Sequence, residues 1–247
     1  MKKRKPSDKS LQERYADTAS KSNAGRPDPF AAAQAIGYSD QDLIAVPAEA
    51  VQLALGCGNP TALANLRPGD VVLDLGAGGG LDAFLAARKV GPQGRVIGID
   101  ATPEMVARAR AFAARAGYAN VEFLVGRMEQ LPLPDRSVDV VISNCVINHA
   151  PDKAIVFREA FRVLRPAGRL FVSDLVTHGQ PPAPDTPGLD IWRDWLAVAS
   201  GRDDYLAALS AAGFANVAIL SEVPYAGPAM HDRLAGTILN LSIRAER

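Results

Sequence analysis

Val71-Val72-Leu73-Asp74-Leu75-Gly76-Ala77-Gly78-Gly79-Gly80 decides the fold. Its first half reads as a buried strand running into a glycine turn. Glycines directly after such a strand let the backbone turn sharply and approach a ligand where any Cβ would collide, beside the positive end of the next helix. A nucleotide-like ligand is the expectation. Asp100 strengthens it by closing the run Arg95-Val96-Ile97-Gly98-Ile99-Asp100, 20 positions after Gly80, where a carboxylate can accept hydrogen bonds from ribose hydroxyls. The glycines alone are open to a second reading, a plain tight turn; the acid in register argues against it. The nicotinamide-dinucleotide fingerprint G-x-G-x-x-G would require glycine where Leu81 stands, and no G-K-[ST] follows the glycines. Hydride chemistry and a P-loop are therefore both disfavoured.

Outward from this turn, short β-branched runs alternate with helical stretches from Asp70 onward, the βαβ rhythm of a parallel sheet covered on both faces. Residues 81–89 form the helix after the turn. Thr102-Pro103-Glu104 opens the next, with threonine as N-cap, proline at the first helical position and an acid in the first turn; it runs to about Arg115, and Gly117 ends it. Residues 121–125, 138–144 and 168–175 supply further strands and 152–164 a further helix, with Pro166 and Gly168 after its end. Pro181, Pro182, Pro184 and Pro187 mark a loop. Two short helices follow over 189–199 and 203–212, and strands at 217–220 and 238–244 finish the sheet as an antiparallel edge pair. Upstream, 11–19 and 40–46 look like short helices that could cap a cleft. The expected architecture is α/β, a doubly wound, mostly parallel seven-stranded sheet with an N-terminal helical cap.

The 247 residues suit one such domain with modest additions. Lys and Arg together number 27, as do Asp and Glu, so no net field calls for nucleic acid, and a small, roughly neutral target is expected. Met1-Lys2-Lys3-Arg4-Lys5 leads into Pro6, Ser7, Asp8 and Lys9 without an apolar region. It reads as a solvated tail, with a nucleic-acid or lipid-binding arm as the other reading, and not as a secretory signal. No apolar run approaches the roughly 20 residues that cross a bilayer; a cytoplasmic protein with no membrane partner is expected. Oligomeric state is not legible. The two cysteines, Cys57 and Cys145, are too few for a disulfide framework and form no CxxC pair, and His149, His178 and His231 lack the spacing of a helical metal site. A structural zinc is not expected.

Asp-x-Gly-x-Gly followed by an acid at the end of the second strand resembles the cofactor motifs of class I S-adenosylmethionine-dependent methyltransferases, which carry a Rossmann-like fold. Gly126-Arg127-Met128-Glu129-Gln130-Leu131-Pro132-Leu133-Pro134 and Ser137-Val138-Asp139-Val140-Val141-Ile142-Ser143-Asn144 look like that family's adenine-side loop and fourth strand. Leu164-Arg165-Pro166-Ala167-Gly168-Arg169-Leu170 looks like its turn into strand five, with Ala167 in place of a usual glycine. The resemblance implies S-adenosylmethionine as cofactor, contacted by Asp74, Gly76, Gly78, Gly80, Asp100, Thr102, Met105, Met128 and Asn144. It also implies a division into a flexible or helical segment 1–35, a cap 36–69, a cofactor-binding core 70–176, and a part 177–247 that completes the sheet and the acceptor site.

A narrower resemblance rests on Ile36-Gly37-Tyr38-Ser39-Asp40-Gln41-Asp42-Leu43-Ile44-Ala45-Val46-Pro47, Leu55-Gly56-Cys57-Gly58-Asn59-Pro60 and Ser143-Asn144-Cys145-Val146-Ile147-Asn148, with Thr102-Pro103-Glu104-Met105 and Pro151-Asp152-Lys153. These are similar to the arsenite methyltransferase family. The resemblance implies methyl transfer to trivalent arsenic, arsenite or an organoarsenical, held by the thiolates of Cys57 and Cys145 as catalytic residues and ligands of the substrate arsenic. Trivalent arsenic is soft, and thiolates are the soft ligands a protein offers. Cys145 can also be read as a small buried residue at a strand end, whereas Cys57, between glycines in an exposed-looking turn, is harder to explain by packing. Two departures stand out: Ala197-Val198-Ala199-Ser200-Gly201 occupies the place of a family stretch with a further cysteine, and residues 18–30 lack an N-terminal cysteine pair. With two thiolates, arsenite needs a third ligand from water or a small thiol such as glutathione; a trivalent organoarsenical needs only two sulfurs. The alternative is a methyltransferase acting on oxygen, nitrogen or carbon of a small organic metabolite, and a third is a non-catalytic cofactor- or arsenical-binding protein. His149 reads first as a surface or capping residue, Trp192 and Trp195 as helix packing, and Tyr38 and Tyr15 as lids over the cofactor or as N-terminal packing.

Overall fold

The computed structural model describes residues 28–189, 192–226 and 231–247. The helix expected at 11–19, with Tyr15 and the basic start of the chain, lies outside the described residues.

Among the described residues, four short helices precede the sheet: α1 (Pro29–Ala35), α2 (Asp40–Ile44), α3 (Ala48–Gln52) and α4 (Pro60–Leu63). Local side chains start three of them. Asp28 accepts from the Phe30 N–H, Ser39 and Asp42 form a reciprocal capping box, and Asn59 accepts from the Ala62 N–H. Helix α1 lies within the segment 1–35 read from the sequence as flexible or helical.

There follow β1 (Val71–Leu75), α5 (Leu81–Val90), β2 (Arg95–Asp100), α6 (Pro103–Ala116), β3 (Val121–Val125) and β4 (Val138–Asn144). A 3-10 turn at Ile147–His149 leads to α7 (Lys153–Val163), β5 (Leu164–Thr177), α8 (Arg193–Leu196), α9 (Arg202–Ala211), β6 (Ala215–Pro224), a second 3-10 turn at Asp232–Leu234, and β7 (Ile238–Glu246). The seven strands lie in the order β3-β2-β1-β4-β5-β7-β6, the first five parallel and β7 antiparallel to both neighbours. The order reverses between β1 and β4, so their carboxyl ends open onto a crevice, the usual ligand position in such sheets.

Alternation along β1 orients the site. Leu73 and Leu75 pack in the cluster beneath α7 and α9, while Val72 packs in the opposite cluster with α5, α6 and the N-terminal cap. Asp74 shares the Val72 face and so points toward the cap.

Two expectations need correction. The helix expected over 189–199 is reduced to the single turn α8. The strand expected at 168–175 spans Leu164–Thr177, directly after α7. Ala167 within it adopts φ +63°, a left-handed conformation that costs an L-residue roughly 1 kcal/mol and explains why glycine suits this corner. Among the described residues, no helix is long and apolar enough to cross a membrane.

Candidate active site

The glycine turn closes over the crevice. The N–H groups of Gly76 and Ala77 both donate to the Ile99 carbonyl, at 2.8 and 3.0 Å. Gly76 sits at φ +69°, and a Cβ there would lie 2.6 Å from the Val146 side chain. Asp100 is gripped by this turn: its carboxylate accepts from the Gly78 N–H at 2.9 Å and the Thr102 N–H at 2.8 Å. Burial raises its pKa, and these bonds, with one from the Thr102 hydroxyl, oppose the rise. Thr102 holds the N-cap position of α6 without a side-chain cap bond, because its hydroxyl serves Asp100 instead. Met105 and Met128 complete the cleft wall beyond Asp100. Gly80 is not on that wall. At φ +92°, its missing Cβ leaves room for Phe123 and Phe84, which a methyl group would meet at 2.7 and 2.9 Å. Its part is packing.

Asp74 is 2% exposed, and its Oδ2 has no hydrogen-bond partner among the described residues. Burial raises its pKa most, with the charges of Asp82 and Asp100 adding to the effect. A buried, half-satisfied carboxylate beside two others is costly unless a cation faces it. The donor set therefore fits S-adenosylmethionine, whose ammonium and sulfonium are positive and whose ribose offers hydroxyls to Asp100.

Asp82 was not singled out in the sequence, although an acid in the first turn after a ligand-binding glycine turn is a usable signal. Its carboxylate accepts from the Tyr38 hydroxyl at 2.9 Å, the Thr61 hydroxyl at 2.7 Å and the Asn144 amide at 3.0 Å. Burial raises its pKa and these bonds resist. Tyr38, fully inside, is thus a fixed wall residue rather than a lid.

Asn144 joins the cofactor cleft to the cysteines. Its Oδ1 accepts from the Cys57 and Gly58 N–H groups at 3.0 and 3.2 Å, and its Nδ2 donates to the Gly58 carbonyl at 2.7 Å and the Tyr38 hydroxyl at 2.9 Å. A Cβ at residue 56 would lie 2.4 Å from the Asn144 amide and one at residue 58 would lie 2.7 Å from Ser173. Both glycines flanking Cys57 are needed for this close approach. Cys57 itself is 2% exposed, so the exposed-looking turn is buried.

Cys145 follows β4 at φ +61°, with its N–H donating to the Ser173 carbonyl at 2.7 Å. That backbone costs a cysteine roughly 1–2 kcal/mol and persists only where its surroundings enforce it. Cys57 and Cys145, 88 positions apart, come together in one cluster, Cys145 packing against the group that holds Cys57. Burial pushes the Cys57 thiol up, and Cys145 and the charge of Asp174 push it further. Cys145 lines the cleft, while Cys57 lies behind it in an apolar cluster with Leu175, Leu189, Trp192 and Trp195. Trp192 meets Trp195 edge-on at 5.5 Å and Tyr225 at 5.9 Å. His149 lies half-buried on the cleft wall rather than on the surface. Ala197 is exposed, whereas Ala199 packs against the cysteine cluster. Among the described residues, no group of three or more His, Cys, Asp or Glu side chains could hold a metal ion.

Residues 66–199 match the methyltransferase-domain family, the class that this fold and cleft define. The chain is 50% identical over 186 residues to the arsenite methyltransferase of Halobacterium salinarum, covering 74% of this chain and 47% of the relative. It is 47% identical over 127 residues to that of Aquipseudomonas alcaligenes, covering 49% of this chain and 36% of the relative. The crystal structure of an arsenic(III) S-adenosylmethionine methyltransferase from Chlamydomonas reinhardtii superposes with a TM-score of 0.70 at 35% identity, covering 90% of this chain and 74% of that one. This chain thus spans about half the length, or less, of these two curated relatives. It belongs to the methyltransferase-domain family and, within it, to the arsenite methyltransferases.

Proposed function

We propose that this chain transfers a methyl group from S-adenosylmethionine to trivalent arsenic held by Cys57 and Cys145. The observation that carries the reading is the convergence of the two thiols, from segments far apart in sequence, beside the cofactor cleft. When bound, S-adenosylmethionine supplies a methyl group already activated by its sulfonium, so the remaining task is to hold a nucleophile in line. Asp74 and Asp82 would present negative charge to the cationic part of the cofactor, and Asp100 offers acceptors to ribose hydroxyls. Gly76, Gly78, Thr102, Met105, Met128 and Asn144 shape the rest.

Each thiol displaces one hydroxyl from trivalent arsenic: an S–As bond forms, an As–O bond breaks, and the thiol proton leaves with the hydroxyl as water. Chelation by two sulfurs keeps the arsenic lone pair and turns it toward the cleft from the Cys145 side. Two thiols complete the coordination of an organoarsenical, while arsenite needs a third ligand from water or a small thiol such as glutathione. The aromatic and aliphatic surroundings of Cys57 suit an organic substituent, so methylated or aromatic trivalent arsenicals are at least as good substrates as arsenite.

The same apolar surroundings favour one second reading, a methyltransferase for a small organic metabolite. Labelled S-adenosylmethionine with arsenite, monomethyl and phenyl trivalent arsenicals and phenolic metabolites, followed by product speciation, separates them. We expect transfer to the arsenicals and at least a hundredfold loss in Cys57→Ser and Cys145→Ser. Transfer to a phenol that ignores both substitutions favours the second reading, and arsenite turning over far faster than the monomethyl arsenical overturns the preference.

A further inference from the structure

Behind the cysteines lies a polar cluster that the cofactor cleft does not use. Asp174 on β5 is 1% exposed. Its Oδ2 accepts from the Asn148 N–H at 2.9 Å and the Tyr205 hydroxyl at 3.0 Å, and its Oδ1 accepts from the Leu175 N–H at 2.9 Å. Asn148, fully buried in the 3-10 turn after Cys145, donates its amide to the Leu175 carbonyl and accepts from the Ser200 N–H at 3.0 Å. Tyr205, from α9, has no exposed surface. One carboxylate thus anchors the turn that follows Cys145, the segment around Ser200 and helix α9.

Cys145 is pinned from both sides. Its N–H is held by the carbonyl of Ser173, the neighbour of Asp174, and the turn beyond it is held through the N–H of Asn148 to Asp174 itself. A left-handed cysteine relaxes unless both ends of its segment are fixed. We propose that Asp174, with Tyr205 and Asn148, is a positioning group that holds Cys145 in register with Cys57 and fastens the wall at 197–201 to the same anchor. Asp174 touches no reacting atom; it acts through the backbone of the turn. This rests on the reading of the cysteine pair as the acceptor site.

The anchor responds to acid. Burial raises the Asp174 carboxyl to about 6, against the pull of its three hydrogen bonds and of Lys153. The charged and titratable groups facing it are Tyr205 from α9, Lys153 from α7 and Cys57 from the loop before α4. Lys153, lowered by burial to about 8, donates to the carbonyls of Ala150 and Val198. Above pH 6 the ionised carboxylate makes the stronger, charge-assisted bonds to Asn148 and Tyr205; below it they weaken.

The test uses the full chain with Asp174→Asn, which keeps shape and removes charge, and Tyr205→Phe, which removes one donor. Capture of phenylarsine oxide in competition with dithiothreitol reads the spacing of the thiols, and hydrogen exchange over residues 143–149 reads the Asn148 amide. At pH 7.5 we expect Asp174→Asn to weaken capture at least 10-fold and to speed Asn148 exchange by a similar factor, with Tyr205→Phe intermediate. The ratio of wild-type to Asp174→Asn affinity should approach one as pH falls below 6, a profile that a merely structural contact would not produce. Equal capture by wild type and Asp174→Asn overturns the proposal. If the wild type captures no probe, the arsenic reading fails separately and exchange decides: faster Asn148 exchange in both variants upholds the anchor, and unchanged exchange overturns it.

Discussion

Asp74 concentrates the electrostatics of the cleft on one atom. Its buried Oδ2 lacks a hydrogen-bond partner among the described residues, and Asp82 and Asp100 add negative charge nearby. A cationic ligand relieves all three, so much of its affinity should come from here. Asp74→Asn is expected to weaken S-adenosylmethionine binding about 10- to 100-fold, the effect of losing one charged hydrogen-bond acceptor worth about 1.5–3 kcal/mol. Calorimetric titration measures this, and unchanged affinity would remove Asp74 from the cofactor site. The carboxylates at 74 and 100 were legible because each stands at a strand end beside the glycine turn. Asp82, Asp174 and Tyr205 were not, because their significance lies in partners 21 to 62 positions away: Thr61 and Asn144 for Asp82, Asn148 for Asp174, and Asp174 for Tyr205.

At the scale of elements, the strand, turn and helix around the glycines divide their labour. Gly76 faces the cleft and makes room for Val146, whereas Gly80 faces the core and makes room for Phe84 and Phe123. Gly80→Ala forces a left-handed alanine against two aromatic rings, so it should destabilise the fold by about 2–4 kcal/mol. The affinity of the folded fraction for S-adenosylmethionine should change by less than about threefold, since a residue on the core side leaves the ligand contacts in place. Denaturant unfolding and calorimetry on the same variant check both halves. Motif spacing marks that glycines are needed but not which face each one serves. Regular elements with strong local signals, such as α5, β2 and α6, were legible nearly to the residue, since periodicity and caps act over one or two turns. The helix expected over 189–199 reduces to α8, where Trp192, Trp195 and Leu196 are claimed by the cysteine cluster.

Across the whole molecule, the site gathers buried acids. Asp74, Asp82, Asp100 and Asp174 all have pKa values raised chiefly by burial. A raised folded-state pKa means that the folded chain binds protons more tightly than the unfolded one. The corresponding stability is therefore present in full below the unfolded value of 3.8 and is lost as pH rises through the folded value, about 6 for Asp174. On the scale of roughly 1.4 kcal/mol per pKa unit, Asp174 alone should add about 1.4 kcal/mol of stability to the ligand-free protein between pH 7.5 and 5, with the other three acids acting in the same direction. Urea unfolding across that range checks the sign, and a steady loss of stability on acidification contradicts it. Cofactor binding near neutral pH should reduce this gain by supplying a positive partner.

The sequence alone determined the parallel sheet, its glycine corner and the carboxylates that flank it, because these follow from short-range periodicity and from the backbone freedom of glycine. The likeness of its motifs to arsenite methyltransferases was also on the surface of the sequence. Only the tertiary structure decided that Cys57 is buried and packs with Cys145, that Asn144 accepts from the Cys57 N–H, and that Asp174 accepts from the N–H of Asn148 in the turn after Cys145. Those relations depend on how the loop before β1, the end of β4 and helix α9 pack together, and no local pattern encodes contact between segments that the chain separates by tens of residues.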